Sequence, residues 1–286
     1  MNKIIITTED TCDLSPELCK QYNIATMGLN LIVNDVEYNS QTNPISIEEF
    51  YKAMRADQKV STSLVNEYDA LTFFENLLKQ GYDIVHIGFS RNLSGTYNNV
   101  VSASEQLKQT YGDRIRVVDS LSASMGEGLI AVMASQYNDG TKSIDEIAEY
   151  SLNVSKQMSH LFIVDSLKYL ARTGRISKLT AGIGTLLQIK PVLHADDEGR
   201  LTNIQKVISR KKSINVLADK MIASKNDLSD IVFIAHADCI DDAKILSSLI
   251  EQGLSIKPII SNIGPIIGCH SGPGTLAVFF TSNTRQ

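Results

Sequence analysis

Apolar and polar residues alternate in blocks along the first half of the chain. Short apolar runs at residues 4–7, 84–89 and 115–118 have the length and content of buried strands. Stretches with helical spacing lie between them, and two of these begin with the capping-box pattern Ser-x-x-Glu, at Ser46 and Ser143. This alternation predicts a mainly parallel α/β sheet over roughly the first 155 residues.

The second half of the chain has a different pattern. Two apolar runs, at residues 191–195 and 201–207, flank the turn Asp196-Asp197-Glu198-Gly199, which is typical of an antiparallel hairpin. Further strands alternate with helices after this hairpin, so we predict a mixed sheet. We therefore expect two domains, an N-terminal α/β domain over residues 1–157 and a C-terminal α/β domain with a mixed sheet over residues 158–286.

One turn in the first half has the character of an anion site. The apolar run 84–89 leads into a polar turn with Ser94, Gly95 and Thr96, and a helical pattern follows. A strand, a turn and a helix N-terminus gather free backbone N–H groups and the positive end of the helix dipole. The two hydroxyls add donors for a carboxylate or a phosphate. On these residues alone, the simpler explanation is that Ser94 is a helix N-cap and Gly95 part of a tight turn.

Other predicted strands of the first half also end in residues that bear hydroxyls. Thr8 and Thr11 follow the first strand, and Ser120 follows the strand at residues 115–118. Between them, residues 24–33 are predicted to form a single strand. Thr62 and Ser63 belong to a predicted loop. Because ligands bind at the carboxyl ends of strands in open α/β sheets, we expect these hydroxyls to face one crevice.

Residues 264–274 contain four glycines and two prolines, which predicts a rigid loop that a ligand can approach closely. His270, in its middle, is either a donor to an anion or a structural residue bonded to a nearby carbonyl.

Gly88-Phe89-Ser90 begins like a nucleophile elbow but lacks the second glycine. A hydrolase or acyltransferase that uses Ser90 or Ser94, and a small-anion sensor, are the alternatives to a carrier protein.

Composition narrows the range of partners and cofactors. The net charge is −5, and the longest basic run is Arg210-Lys211-Lys212, so we expect no nucleic-acid partner. No apolar run reaches the length of a membrane span, and the first apolar run is too short for a signal peptide. We expect a cytoplasmic protein with only transient membrane contact. The histidines and cysteines lack paired spacing, so we expect neither a metal nor a cofactor.

Seven segments in order along the chain resemble the DegV family of bacterial fatty-acid-binding proteins. The segments are Thr8-Glu9-Asp10-Thr11-Cys12-Asp13-Leu14, Thr62-Ser63, Ser90-x-x-Leu93-Ser94-Gly95-Thr96-Tyr97, Asp119-Ser120, Leu167-x-Tyr169-Leu170 with Gly174-Arg175-Ile176, Lys190-Pro191, and Gly268-x-His270-x-Gly272-Pro273-Gly274. Each segment is short, but the seven segments occur in the family's order and extend over nearly the whole chain.

This resemblance implies a carrier protein rather than an enzyme. It implies one long-chain fatty acid, with its acyl chain in an apolar tunnel and its carboxylate at the junction of two α/β domains. It also implies a separate ATP-dependent fatty-acid kinase, which would phosphorylate the bound lipid to an acyl phosphate for phospholipid synthesis. The implied residues are Thr62, Ser94, Gly95 and His270 for the carboxylate, Ser63, Thr96 and Ser120 for a polar network, and Arg172, Arg175 and Lys206 for kinase docking.

The chain departs from the usual family pattern at several points. Glu9-Asp10 replaces the usual Asp-Ser of the first turn, and Leu64-Val65 replaces Gln-Pro. Both changes are expected to border the crevice and to affect the head-group network or the preferred acyl chain. Arg172-Thr173 and Ile208 also depart from the usual residues, which bears on the docking of the kinase.

Overall fold

The computed structural model describes residues 3–176 and 189–285. The strands within these residues are β1 (Lys3–Glu9), β2 (Ile24–Met27), β3 (Asn30–Val33), β4 (Val36–Asn39), β5 (Val60–Thr62), β6 (Tyr82–Gly88), β7 (Ile115–Asp119), β8 (Met158–Ile163), β9 (Ile189–Ala195), β10 (Leu201–Ile208), β11 (Phe233–His236), β12 (Ile259–Asn262) and β13 (Leu276–Thr281). The helices are α1 (Pro16–Gln21), α2 (Ile47–Arg55), α3 (Glu67–Lys79), α4 (Thr96–Tyr111), α5 (Met125–Tyr137), α6 (Ile144–Ser155), α7 (Lys168–Arg172), α8 (Arg210–Ser224), α9 (Ile240–Leu254) and α10 (Pro265–Ser271).

The first sheet has four parallel strands in the order β2–β1–β6–β7. The last five residues of each inner strand are buried, as in parallel sheets that are covered on both faces. Two helix pairs, α3 with α4 and α5 with α6, pack against it. The capping boxes predicted at Ser46 and Ser143 are both formed, at the starts of α2 and α6. The prediction of a parallel α/β sheet is confirmed.

The prediction of one strand over residues 24–33 is wrong. β2 belongs to the parallel sheet, whereas β3 joins a small antiparallel sheet in the order β4–β3–β5. The chain changes sheets at Gly28, where a Cβ atom would lie 2.7 Å from Oδ1 of Asn39, so the corner needs glycine. Thr62 is the last residue of β5 and therefore lies in an edge strand rather than in the predicted loop.

The second half contains a six-stranded mixed sheet in the order β10–β9–β8–β13–β11–β12. Only β11 and β12 pair in parallel among the described strands of this sheet. The hairpin of β9 and β10 forms as predicted, and the mixed sheet is confirmed. This sheet begins at Met158; the boundary between residues 157 and 158 stays a prediction.

Helix α5 lies between the two large sheets. It packs against β1 and β6 of the parallel sheet and against β8, β11 and β13 of the mixed sheet. Its first ten residues, Met125 to Ala134, are all buried, as expected for a helix with protein on every side. Gly126 allows the His160 ring to approach the helix, since a Cβ atom there would lie 2.2 Å from Nε2 of His160.

The glycine-rich segment at residues 264–274 is mostly helical, so the prediction of a loop is wrong. Pro265 occupies the first turn of α10, where its missing N–H costs nothing. Gly272, with a φ of +82°, ends the helix in a backbone conformation that favours glycine. His270 is consequently held in the last turn of a helix. Across residues 3–176 and 189–285, no helix is both long and apolar enough to cross a membrane.

Candidate functional site

A cavity lies where the small antiparallel sheet, α10 and the mixed sheet meet. It encloses about 980 Å³ of space free of protein atoms, including its opening to solvent. Most of its wall is apolar, and no acidic side chain lines it within the described part of the chain. Representative apolar residues of the wall are Leu29, Phe89, Leu93, Phe162, Leu201 and Ile266.

Four polar residues of the cavity wall form a group that we call the polar end: Thr62, Ser94, Arg175 and His270. Oγ1 of Thr62 lies 2.9 Å from Nε2 of His270, which joins β5 to α10. Oγ of Ser94 donates to Oγ1 of Thr96 at 3.1 Å. Oγ1 of Thr96 in turn accepts a hydrogen bond from the backbone N–H of Val65 at 3.2 Å, so the end of β5 and the start of α4 are held together.

His270 is neutral at physiological pH. Burial lowers its pKa from 6.5 to about 4, and the charges of Arg175 and Arg172 lower this pKa further. If the single ring hydrogen is on Nε2, the ring donates to Thr62 and leaves the hydroxyl hydrogen of Thr62 free for an anion. Nδ1 of His270 and Oγ of the adjacent Ser271, which also lines the cavity, have no hydrogen-bond partner among the residues described.

Arg175, which the resemblance implied for kinase docking, lines the cavity. Its Nε donates to the carbonyl of Leu93 at 3.2 Å, and its guanidinium also donates to the carbonyl of Thr173. Burial lowers the pKa of Arg175 below its usual value. The guanidinium brings a positive charge to the polar end of the cavity.

The remaining residues expected at the site are only partly brought together. Ser63 lines the cavity, while Thr96 is fully buried behind Ser94. Gly95 is exposed at the start of α4, and a Cβ atom there would lie 3.5 Å from the Leu64 side chain. Ser120 does not line the cavity, because its Oγ accepts from the N–H of Ser122 at 3.1 Å in a local turn.

The residues expected to dock a kinase lie in different surroundings. Arg172 and Lys206 are exposed, and the Arg172 guanidinium lies 5.4 Å from the centre of the Tyr169 ring.

Of the departures from the family pattern, Leu64 lines the cavity and is 48% exposed, while Val65 is buried. Ile208 is exposed at the end of β10.

The hydroxyls of Thr8, near the end of β1, and Thr11, just after it, do not line this cavity, so the prediction of one shared crevice is wrong for them. Oγ1 of Thr8 donates to Oε1 of Glu127 at 2.7 Å, and Oγ1 of Thr11 lies 3.0 Å from both carboxylate oxygens of Glu127. Glu127 lies in α5 and is completely buried. A carboxylate of the protein itself therefore occupies the position that we had expected a ligand to take.

Sequence reasoning missed this buried acidic network. Oε2 of Glu9 accepts from the N–H of Phe89 at 3.0 Å, and Oε1 of Glu9 lies 3.3 Å from Nε2 of the buried His86. Burial raises the pKa of Glu127 well above its usual value, and the nearby Glu9 charge raises it further. The signal for the network was a lone glutamate in a stretch of small and apolar residues, 125–134.

The geometry does not favour a serine nucleophile. Ser90 is fully buried, and its Oγ donates to the carbonyl of Gly199 at 3.0 Å. Within residues 3–176 and 189–285, no histidine forms a hydrogen bond with Ser90 or Ser94. Over the same residues, no group of three or more histidine, cysteine or acidic side chains is placed to hold a metal ion.

Comparison with known proteins gives a consistent result. Residues 3–283 match the family described as "Uncharacterised protein, DegV family". A DegV domain-containing protein of Clostridium perfringens is 39% identical over the full length of both chains. One of Lactococcus lactis is 30% identical, with 98% of each chain covered.

Solved structures share the same two-domain fold. A DegV lipid-binding protein of Thermotoga maritima superposes with a TM-score of 0.86 at 27% identity, covering 99% of this chain and 100% of the other. DegV of Bacillus subtilis, a fatty-acid-binding protein, superposes with a TM-score of 0.83 at 25% identity and the same coverage. Because the family match extends over almost all of the sequence, this chain belongs to the DegV family.

Proposed function

We propose that this protein binds one long-chain fatty acid and carries it without chemical change. The carboxylate would lie at the polar end, bonded by Thr62, Ser94, the backbone of Gly95 and His270. The acyl chain would fill the apolar part of the cavity. The relatives with this fold support the proposal, since that of Thermotoga maritima is a lipid-binding protein and that of Bacillus subtilis a fatty-acid-binding protein.

The observation that carries the proposal is the contrast between the mostly apolar cavity wall and the polar group in it. Hydroxyls, a neutral histidine and one guanidinium line the cavity together, and no acidic side chain of the described residues lines it. A carboxylate would complete these donors, and charge-assisted hydrogen bonds are stronger than neutral ones. Each methylene group buried in the apolar part would contribute about 0.8 kcal/mol.

We also propose that the protein presents its fatty acid to a separate ATP-dependent kinase in the cytoplasm. The exposed Arg172 and Lys206 are the candidate contacts for that partner. Arg175 is a weaker candidate, because its guanidinium is bonded to two backbone carbonyls beside the cavity. We further propose that the boundary between the two domains lies between residues 157 and 158.

The decisive experiment is denaturing extraction of the purified protein, followed by mass spectrometry of the extract. We expect one long-chain fatty acid per chain. Protein that carries no lipid should take up a labelled long-chain fatty acid with the same stoichiometry. Protein with no lipid and no uptake would contradict the proposal.

The kinase step is tested separately with Arg172→Ala and Lys206→Ala proteins loaded with labelled fatty acid. We expect both variants to retain the lipid but to yield less acyl phosphate when a purified ATP-dependent fatty-acid kinase and ATP are added. Unchanged acyl-phosphate formation in both variants would place the docking surface elsewhere, without affecting the proposal of lipid binding.

A further inference from the structure

A second histidine lines the cavity away from the polar end. His160 lies on β8 opposite Phe279 of β13, and Phe162 lies opposite Ala277 in the same register. All four residues line the cavity, so they share the face of the mixed sheet that bounds it. The His160 side chain is almost completely buried, with 3% of the residue exposed.

The His160 ring is held by packing and has no polar contact. It meets the Phe279 ring edge to face, with 5.6 Å between ring centres, and its Nε2 edge lies over Gly126. Neither Nδ1 nor Nε2 has a hydrogen-bond partner among the residues the structure describes. Burial lowers the pKa of His160 well below 6.5, with the charges of Arg285 and His194 adding to the effect. The neutral ring therefore offers one donor and one acceptor.

The register of the sheet places His160 well away from the polar end. Thr275 lies beside the polar end, because its Oγ1 donates to the carbonyl of Ser271, next to His270. Phe279, the partner of His160, is four positions along the chain from Thr275, which is about 13 Å in an extended strand. With carbon–carbon bonds of about 1.5 Å in a zigzag, this distance corresponds to roughly ten carbons.

We propose that the fatty acid preferred by this protein bears a hydroxyl group near the middle of its chain, hydrogen-bonded to His160. This inference rests on the proposed function. An unsubstituted chain would leave both ring nitrogens buried without partners, which is costly in an apolar wall. A hydroxyl group can both donate and accept, so it can satisfy either edge of the neutral ring.

The test is a competition assay in which labelled octadecanoic acid is displaced from the protein. The competitors are octadecanoic acid and a series of hydroxyoctadecanoic acids with the hydroxyl at successive positions. We expect a mid-chain isomer to bind about tenfold more tightly than octadecanoic acid, and isomers with the hydroxyl near either end to show no advantage. A mid-chain oxo acid, which only accepts, should fall between them.

Variants of two histidines make the test specific. His160→Phe keeps an aromatic ring and should abolish the tenfold preference, while His160→Gln, which keeps a donor and an acceptor, should retain part of it. His194→Phe is the matched control, because His194 pairs with Leu161 and so lies on the other face of the sheet. If His160→Phe does not fold, the His160→Gln result and the isomer series decide the question.

Two outcomes would overturn this inference and leave the proposed function intact. The first is tight binding of octadecanoic acid with no preference for any hydroxylated isomer. The second is a preference for the mid-chain isomer that persists in His160→Phe. If no fatty acid binds to the wild-type protein, the proposed function itself fails, and this inference fails with it.

Discussion

Two clusters of hydroxyl groups in this protein look alike in the sequence and differ in the structure. Thr8, near the end of the first strand, and Thr11, just after it, donate to the buried carboxyl group of Glu127. Thr62 and Ser94, at the polar end of the cavity, bond to no acidic side chain of the described residues; Thr62 meets His270, and Ser94 meets the hydroxyl and the backbone N–H of Thr96. The first cluster is bonded to an acid of the protein itself, whereas the hydroxyls of the second can turn from their neutral partners towards an anion.

The difference shows what turns a hydroxyl-rich strand end into a ligand site. Each cluster has two hydroxyl-bearing residues, and each of the four lies near the end of a strand or in the segment that follows one. The deciding factor is whether the fold brings one of its own carboxylates to the hydroxyls. The predictions that follow test this comparison, beginning with the largest expected effect.

Removal of the internal carboxylate should destabilise the fold strongly. In Glu127→Ala, the Thr11 hydroxyl loses its acceptor in a fully buried place, and the Thr8 hydroxyl keeps only the carbonyl of Ile87. We expect the free energy of unfolding to fall by about 3 kcal/mol in urea titrations. Glu127→Gln retains an acceptor oxygen and should lose less. A change below about 0.5 kcal/mol in Glu127→Ala would show that the first cluster does not depend on its carboxylate.

Loss of one hydroxyl at the polar end should affect ligand affinity more than stability. Ser94→Ala removes a donor that we assign to the fatty-acid carboxylate, and we expect binding to weaken by roughly 1–3 kcal/mol. The measurement is the dissociation constant for a labelled long-chain fatty acid. Unchanged affinity would place the head group elsewhere.

A third cavity hydroxyl, on Ser124, is bonded to an internal acid, Asp13, which also accepts from the N–H of Gly264. Burial raises the pKa of Asp13 from 3.8 to about 7, so the folded protein holds a proton that the unfolded chain releases above about pH 4. The stability contributed by this proton is complete at low pH and is lost as the pH rises towards 7. The free energy of unfolding of the wild-type protein should therefore fall as the pH rises. We expect Asp13→Asn to make this dependence on pH shallower by about 1.4 kcal/mol per pH unit.

The pH experiment compares urea titrations of the wild-type protein and Asp13→Asn between about pH 5 and 7. The buried Asp10, whose pKa is also raised to about 7 by burial, adds a slope of the same sign that both proteins share. Identical slopes in the two proteins would show that Asp13 is ionised in the folded state.

The smallest effect is expected at Ser120, which serves as the control for Ser94. Ser120→Ala removes a bond to the N–H of Ser122 and should lower the free energy of unfolding by about 1 kcal/mol. Fatty-acid affinity should not change, because Ser120 does not line the cavity. A loss of affinity comparable to that of Ser94→Ala would return Ser120 to the head-group network.

The two sheets, the hairpin and the capping boxes could be predicted because each depends on local patterns of apolar and turn residues. The switch of sheets at Gly28 could not, since it depends on the approach of Asn39, which is distant in sequence. The helix over residues 265–271 was missed because glycine and proline content favours a loop. At this site, Pro265 begins a helix and Gly272 ends it.

The candidate site could be predicted only as a set of residues, and their role in binding a carboxylate stays a prediction. Thr62, Ser94 and His270 were singled out from short segments, and the fold brings them to one cavity. The arginine at the polar end and the glutamate that captures Thr8 and Thr11 come from distant parts of the chain. Their contacts depend on tertiary packing, which spacing along one sequence does not encode.

Helix α5 has a consequence for how lipid would enter and leave. Because this helix contributes to the packing of both large sheets, hinge-like separation of the two halves would expose much of its buried surface to water. At about 25 cal/mol per Å² of apolar area, such exposure would make full separation a rare event. We therefore expect exchange of the fatty acid to proceed through small local movements at the mouth of the cavity, where Leu64 is already half exposed.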